Sequence, residues 1–295
     1  MTSTSSSSKR SSRKASPAAR GRAPLSPRKS LGQHFLTDER ILKRIAAAAE
    51  LSRDDTVVEI GAGTGALTAE LAGRAGHVVA IELDERLCAQ LAHRFRGTNV
   101  SVAQGDALEF DLTSALEAIG ESGRYVVAGN LPYYIAQPLL RHFLEAKPPP
   151  QRMIVMLQAE VAKSVAAQPG EMSLLSVSVQ LYGEPHILFH VPPTAFHPPP
   201  KVRSAVVRIE VPGTLRAPVA DIKAFFHVVR SGFSSRRKQL RNSLANGLRI
   251  EPAKATALLA DVRIDPTQRP QMLPLAAWAE LTGAWIAAGR PEGQR

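Results

Sequence analysis

From residue 56 onward, apolar and polar positions alternate in a way that predicts short strands separated by helices. Runs rich in Val, Ile and other β-favouring residues predict strands, and apolar residues at helical spacing predict the helices. The predicted strands are 56–60, 77–81, 99–102, 125–128 and 153–157, and the helices between them include 66–72 and 87–95. Strands that alternate with helices form mostly parallel sheets through right-handed crossovers. The pattern therefore predicts an α/β fold with helices on both faces.

The pattern changes in the second half of the chain. Residues 174–181 and 204–211 are predicted as late strands that complete the sheet antiparallel at its edge. After Pro212, Ala, Leu and Arg dominate, and helical spacing predicts a small all-helical C-terminal domain with helices at 222–230, 237–244, 253–259 and 275–287. We therefore predict three parts: a tail over 1–29, an α/β domain over 30–212 and a helical domain over 213–295.

Composition limits the classes of protein that the chain can belong to. Its 295 residues are 44% hydrophobic, which is enough to bury a core and too much for a disordered chain. The single cysteine, Cys88, excludes an internal disulfide and fits a reducing compartment. No apolar run approaches the roughly 20 residues that cross a bilayer. We expect a monomeric, cytoplasmic protein that makes no membrane contact.

Positive charge is concentrated at the two ends of the sequence. Residues 1–29 hold eight of the Lys and Arg residues and no acid, in a chain of net charge +11. This composition predicts disorder, as a solvated tail, an RNA-attracting arm or a transit peptide. A transit peptide is disfavoured because no apolar helical stripe is evident. Residues 230–249 contain six basic residues and no acid, which suits a phosphate backbone, although an ordinary solvated face is the alternative.

A strand that ends in a glycine-rich turn lies at residues 57–68, which are V-V-E-I-G-A-G-T-G-A-L-T. Glycines such as Gly61 and Gly63 let the backbone turn sharply and let a ligand approach where a Cβ atom would clash. The spacing is G-x-G-x-G, whereas the dinucleotide fingerprint is G-x-G-x-x-G. This difference weakens an interpretation as an NAD site.

Two acids follow the next predicted strands. Glu82 ends the second strand, where a carboxylate accepts hydrogen bonds from the hydroxyls of an adenosine ribose. Asp106 follows the third strand and can accept from the exocyclic amine of a nucleoside. The turn and the two acids together fit S-adenosylmethionine, which is cationic and carries no pyrophosphate for a helix N-terminus to hold.

The segment after the fourth strand, residues 129–135, is G-N-L-P-Y-Y-I. The exocyclic nitrogen of adenine is a poor nucleophile because its lone pair is delocalised into the ring. If the Asn130 amide oxygen and the carbonyl of Leu131 or Pro132 accept its two N–H bonds, the nitrogen can pyramidalise and aim its lone pair at a methyl group. Tyr133 can stack on the base. We therefore predict Asn130, Leu131, Pro132 and Tyr133 as the catalytic segment.

Five segments together resemble the ribosomal RNA adenine N6-dimethyltransferase family, in the order seen there. They are L-G-Q-H-F-L at 31–36, E-I-G-A-G-T-G at 59–65, G-N-L-P-Y at 129–133, F-H-P-P-P-K-V at 196–202 and F-S-S-R-R-K-Q-L at 233–240. The resemblance covers the chain from about Leu31 to the helical C-terminus. It implies a Rossmann-like S-adenosylmethionine-dependent methyltransferase sheet with a small helical RNA-binding domain. It is strongest to the bacterial enzyme that dimethylates two adjacent adenines in the 3′-terminal hairpin of 16S rRNA, within the pre-30S ribosomal particle.

The resemblance also implies roles for particular residues. It implies cofactor contacts from His34, Leu36, Gly61, Glu82, Asp106 and Asn130. Phe196 would form the second aromatic face around the target adenine, opposite Tyr133, and the alternative for Phe196 is simple packing. The run Arg236, Arg237 and Lys238 would grip the phosphates of folded RNA. Relatives often carry Asn at the position of His34 and an acid at the position of Arg203.

Other functions stay open at this point. The alternatives are a DNA adenine methyltransferase, a noncatalytic nucleic-acid-binding factor and a 23S rRNA methyltransferase that confers antibiotic resistance. The scattered histidines show no metal-ligand spacing, and displacement at a sulfonium needs no metal, so we expect no metal site.

Overall fold

The computed structural model describes residue 28 and residues 33–120, 124–235 and 237–289. The predicted tail over 1–29, apart from Arg28, and the predicted phosphate contact Arg236 lie outside the described residues.

Nine strands and eleven helices make up the described regular structure, apart from two short 3-10 turns. The strands are β1 (Phe35–Leu36), β2 (Thr56–Ile60), β3 (His77–Glu82), β4 (Val100–Gln104), β5 (Tyr125–Asn130), β6 (Arg152–Gln158), β7 (Glu184–Val191), β8 (Phe196–His197) and β9 (Ser204–Glu210). The helices are α1 (Glu39–Ala48), α2 (Ala66–Ala72), α3 (Glu85–Arg94), α4 (Leu112–Ala118), α5 (Ala136–Leu144), α6 (Ala159–Val165), α7 (Leu174–Gln180), α8 (Ile222–Phe233), α9 (Leu240–Leu248), α10 (Pro252–Asp261) and α11 (Leu275–Ala287).

Seven strands form the central sheet, in the order β4-β3-β2-β5-β6-β9-β7. The first five are parallel, and β9 pairs antiparallel with both β6 and β7. The chain runs outward from β2 to β4 and then returns to place β5 on the other side of β2. Ligands of open sheets bind beyond the carboxyl ends of the strands at such a reversal. Here the ends of β2 and β5 meet, because Ile60 is in register with Gly129.

Gly129 permits the close approach of these two strands. A Cβ atom at this position would lie 2.5 Å from the Ile60 carbonyl oxygen. No side chain tolerates that distance to a backbone atom, so any larger residue would push β5 away from β2. The glycine therefore holds Asn130, the next residue, beside the glycine-rich turn that follows Ile60.

All five predicted strands of the parallel sheet are confirmed within two residues at each end, and so is the antiparallel strand predicted at 204–211. The strand predicted at 174–181 is wrong, because Leu174–Gln180 is a helix. Its start is fixed by a capping box, in which Ser173 and Ser176 satisfy each other's backbone N–H groups. A short apolar run has no period that separates a buried strand from a buried helix. The edge strand is β7, which the prediction missed.

Two groups of buried side chains cover the sheet, and a third lies among the C-terminal helices. The third group includes Phe225, Leu240 and Trp278, but it also takes Met172 and Leu181 from around α7. The predicted boundary at 212/213 therefore stays a prediction. Within the described residues, no helix has both the length and the apolar character that crossing a membrane requires.

Candidate functional site

A cavity opens beyond the carboxyl ends of β2, β3 and β5. Ten predicted site residues line it: His34, Leu36, Gly61, Gly63, Glu82, Asp106, Asn130, Leu131, Pro132 and Tyr133. These residues come from separate parts of the sequence, and the parallel strands bring them to one edge of the sheet.

The glycine-rich turn is tied to Glu82 by the backbone. Gly61 and Gly63 have φ angles of +68° and +58°, in the left-handed region that favours glycine. This conformation aims the Gly63 N–H at Glu82, whose Oε2 accepts it at 2.7 Å. The Asp84 N–H donates to the other carboxylate oxygen at 2.8 Å. Each oxygen keeps acceptor capacity, so the buried carboxylate can accept further hydrogen bonds from two adjacent ribose hydroxyls.

Asp106 is half-buried at the end of β4. Its Oδ1 accepts the Leu108 N–H at 3.0 Å, which fixes the carboxylate in its local turn. Its Oδ2 accepts no hydrogen bond from any described residue. This oxygen is therefore free to accept a hydrogen bond from a ligand in the cavity.

Asn130 ends β5 with its amide held in one orientation. Its Nδ2 donates to the His34 carbonyl oxygen at 3.0 Å. Its Oδ1 accepts no hydrogen bond within the described part of the chain. The Pro132 carbonyl already accepts from Ile135 N–H at 3.1 Å, whereas none of the described N–H groups reaches the Leu131 carbonyl. The prediction left both carbonyls open, and this geometry favours Leu131 as the second acceptor.

Tyr133 contributes an aromatic side chain to the lining of the cavity. Its hydroxyl lies 2.7 Å from Ser204 Oγ, which fixes the side chain. Burial raises the pKa of the phenol, so Tyr133 stays neutral at physiological pH. The ring of His34 lies nearly parallel to it, at 24° and with centroids 6.0 Å apart. Two flat rings therefore lie side by side in the lining of the cavity.

The short β1–β8 pair closes one side of the cavity. His34 Nδ1 donates to the Pro198 carbonyl at 2.7 Å, which leaves Nε2 as the remaining nitrogen of the ring. In the pair, Leu36 is in register with Phe196. Phe196 is only 4% exposed and packs in a core cluster with Leu36, as the alternative of simple packing describes. Its predicted place beside the target adenine stays a prediction.

A family model described as ribosomal RNA adenine dimethylase matches residues 25–281. The chain belongs to the ribosomal RNA adenine dimethylase family. This membership confirms the resemblance drawn from the five segments and the expectation of a methyltransferase enzyme.

Named relatives and solved structures agree with the family. The chain is 45% identical over 258 residues to ribosomal RNA small subunit methyltransferase A of Dehalococcoides mccartyi strain CBDB1, with 87% of this chain and 88% of the relative covered. It is 44% identical over 275 residues to the protein of that name from Pelotomaculum thermopropionicum, with 90% and 93% covered.

Two solved structures share the fold. The 23S rRNA methyltransferase ErmE has a TM-score of 0.68 and 27% identity, with 85% of this chain and 98% of that chain covered. A dimethyladenosine transferase from Plasmodium falciparum has a TM-score of 0.74 and 24% identity, with 87% and 98% covered. The predicted Rossmann-like methyltransferase fold is thereby confirmed.

Two acids of this family member were missed by the sequence analysis. Asp84 has a fully buried carboxylate that Arg86 holds through Nε and Nη2 at 3.0 and 2.7 Å, and this pairing lowers its pKa to about 2. Gln33 also donates to it, at 3.4 Å. Asp84 thus joins the segment before β1 to the Glu82 loop. The second missed acid, Glu59, lines the cavity itself.

The charge of the cavity distinguishes between classes of cofactor. Three acids line it, Glu59, Glu82 and Asp106, and no described lysine or arginine does. A pyrophosphate would find no cation there, whereas a cationic ligand would be stabilised. The residues present therefore fit a cationic, adenosine-containing cofactor.

The predicted phosphate-binding run is placed differently from the prediction. Arg237 and Lys238 are exposed in the connection between α8 and α9, since α9 begins only at Leu240. The prediction of a helix from 237 is therefore wrong at its start. Neither side chain is paired with a described acid, so both charges remain free for another partner.

Proposed function

We propose that this protein transfers methyl groups from S-adenosylmethionine to N6 of two adjacent adenines in the 3′-terminal hairpin of 16S rRNA, in the pre-30S particle. The family membership and the name shared by its relatives support the class of reaction and substrate. The proposal rests mainly on Asn130, whose amide is held by its hydrogen bond to the His34 carbonyl. Its Oδ1 and the neighbouring Leu131 carbonyl accept no hydrogen bond from the described residues.

The cofactor would be held by the acids and the turn. Glu82 would accept from the ribose hydroxyls, Asp106 from the adenine amine, and Gly61 and Gly63 would let the ligand approach the backbone. His34 and Leu36 would close the cavity from the side of β1. When bound, S-adenosylmethionine supplies an electrophilic methyl group.

Asn130 Oδ1 and the Leu131 carbonyl together form a clamp that holds the nucleophile, adenine N6. Asn130 Oδ1 and the Leu131 carbonyl accept hydrogen bonds from the two N–H groups of adenine N6. This arrangement disfavours delocalisation of the nitrogen lone pair into the ring and directs the lone pair away from both acceptors. Tyr133 stacks on the base and holds it outside its helical stack. The proton is lost to water after attack. The monomethylated nitrogen keeps one N–H, so the clamp can hold it for a second transfer.

The helical region after residue 212 would grip RNA. Its exposed Arg237 and Lys238 are suited to phosphates, and a single-stranded or flipped base must reach the cavity. We propose that the enzyme acts as a monomer in the cytoplasm, on an assembled small-subunit particle that presents such bases. We propose that residues 213–295 form this RNA-binding domain.

Incubation with radiolabelled S-adenosylmethionine tests the proposal. Undermethylated 30S particles, 50S particles and duplex DNA are supplied in parallel, and the modified nucleotides are mapped. We expect dimethyladenosine at two neighbouring adenines near the 3′ end of 16S rRNA. Label in 23S rRNA or in DNA alone would identify one of the alternative substrates and contradict the proposal.

Removing the charges of Arg237 and Lys238 should weaken RNA binding without changing the fold. For Arg237→Ala with Lys238→Ala, we expect the slope of log K against log salt concentration to flatten by about 1.5, since each phosphate contact contributes roughly 0.7 to 0.9. Filter binding to particles across a salt series measures the slope. The control is Arg74→Ala with Arg96→Ala, which removes equal charge at two exposed positions outside residues 213–295. Equal slopes in the two double variants would assign the RNA contact to another surface.

A further inference from the structure

Glu59 is a buried acid without an assigned role. It lies in β2 and is 1% exposed, yet it contributes to the wall of the cofactor cavity. Its Oε2 is buried and has no hydrogen-bond partner among the described residues. The neighbouring Thr68 hydroxyl, also buried, has no partner either. A buried polar atom left without a partner costs about 1–3 kcal/mol, so such an atom at a ligand cavity points to the ligand as its partner.

The sheet register places Glu59 between the two functional ends of the cavity. Glu59 is in register with Ala80 of β3 and with Ala128 of β5. Those strands end two residues later, in Glu82 and Asn130. A cofactor whose ribose lies at Glu82 and whose methyl group faces Asn130 must cross the end of β2 between them. In that arrangement the amino-acid part would be the portion of the cofactor that can reach Glu59.

The surroundings of Glu59 leave it without a cation of the protein. Leu42 and Ile45 of α1 and Leu67 of α2 also line the cavity. The titratable groups that line the cavity with it are His34, Glu82, Asp106, Tyr133 and Tyr134. None of them is a lysine or an arginine. Any cation that compensates an ionised Glu59 must therefore come from the ligand.

From this placement we infer that Glu59 binds the α-ammonium group of S-adenosylmethionine as a carboxylate, and that cofactor binding releases its proton. The inference rests on the proposed function, since it takes S-adenosylmethionine as the cofactor. It adds a cofactor contact to those that the resemblance implied.

The direction of the proton movement follows from the environment of Glu59. Burial raises the pKa of the free protein's Glu59 to about 8, and the nearby carboxylate of Glu82 adds to the rise. The carboxyl is therefore neutral at neutral pH before the cofactor binds. An ammonium group at hydrogen-bond distance favours the charged form and lowers that pKa. Affinity for the cofactor should consequently rise with pH up to about 8 and then level off.

Calorimetry measures the proton directly. Binding enthalpies are determined at about pH 7 in buffers of different ionisation enthalpy, for S-adenosylmethionine, S-adenosylhomocysteine and 5′-methylthioadenosine. The first two carry the ammonium group and the third lacks the amino-acid part. We expect release of about 0.9 proton with each of the first two, since that fraction of a group of pKa about 8 is protonated at pH 7. With methylthioadenosine we expect almost none.

Glu59→Gln provides the matched variant, because it keeps the size of the side chain and all other titratable groups of the cavity. It should bind S-adenosylmethionine at least tenfold more weakly and release about one proton fewer than the unaltered protein. A thermal melt tests whether the variant is folded. If it is not folded, the comparison of the three ligands on the unaltered protein still tests the inference. Equal proton release with S-adenosylmethionine and methylthioadenosine would overturn the inference. Release with S-adenosylmethionine but not with S-adenosylhomocysteine would also overturn it, since Glu59 would then face the sulfonium.

The failures of the two proposals are distinguishable. If none of the three ligands binds, the proposed cofactor is wrong and this inference falls with it. If the ligands bind without proton release, the cofactor assignment stands and only the role of Glu59 is rejected.

Discussion

Asn130→Ala should abolish methyl transfer while leaving cofactor binding nearly intact. The variant loses the oxygen that accepts an adenine N–H, so the nitrogen keeps its lone pair in the ring. Removal of one preorganised hydrogen-bonding group from a reacting centre costs about 10²–10³-fold in rate. Here the same change also frees the His34 carbonyl, which Asn130 Nδ2 holds at 3.0 Å. We expect a loss at the upper end, about 10³-fold or about 4 kcal/mol.

Single-turnover assays on undermethylated particles measure the rate, and calorimetry measures cofactor affinity. The affinity should stay within about tenfold, equivalent to about 1.4 kcal/mol, because Glu82 and Asp106 still hold the adenosine part. Gln168→Ala, which removes an exposed amide outside both the cavity and residues 213–295, is the control and should keep full activity. Retained turnover in the Asn130 variant would remove the clamp from the mechanism.

Glu82→Gln should have its effect on binding instead of on the chemical step. Both carboxylate oxygens accept backbone N–H groups, from Gly63 at 2.7 Å and from Asp84 at 2.8 Å. An amide at this position must face one of those donors with its own NH₂ group. It also loses the charge that strengthens hydrogen bonds from ribose hydroxyls. We expect the dissociation constant for S-adenosylmethionine to rise about 100-fold, or about 2.7 kcal/mol.

The rate at saturating cofactor should change little, because Glu82 is remote from the nitrogen that reacts. Titration calorimetry and a cofactor-concentration series give the two quantities separately. Glu85→Gln is the matched control, since Glu85 is an exposed acid three residues away at the start of α3. Unchanged affinity in Glu82→Gln would show that the ribose lies elsewhere.

The failed strand prediction at Leu174–Gln180 and the burial of Phe196 share one cause. Both segments are apolar, and an apolar run predicts burial but does not predict which residues it packs against. The Ser173 capping box decided the helix, and the pairing of β8 with β1 decided the direction of the Phe196 ring. Each depends on a contact that local periodicity does not encode.

Glu59 and Asp84 illustrate the same limit within the site. In the sequence, Glu59 is one acid inside a strand, and nothing in its spacing separates it from a surface position. Its burial and its unpartnered oxygen exist only once α1 and α2 cover that face of β2. Asp84 follows Glu82 closely, but its partners Arg86 and Gln33 meet only when the segment before β1 folds back.

Patterns along the chain were enough to predict the parallel strands, the glycine-rich turn and the polar residues Glu82, Asp106 and Asn130 that follow the strands. These are local features, because the period of the backbone and the conformational freedom of glycine act over a few residues. Which carbonyl is free beside Asn130, how Glu59 is buried and how the cavity is closed became clear from the folded molecule. These depend on contacts between distant residues, such as His34 with Pro198, which lie 164 positions apart. A pattern over neighbouring residues carries no information on such a distance.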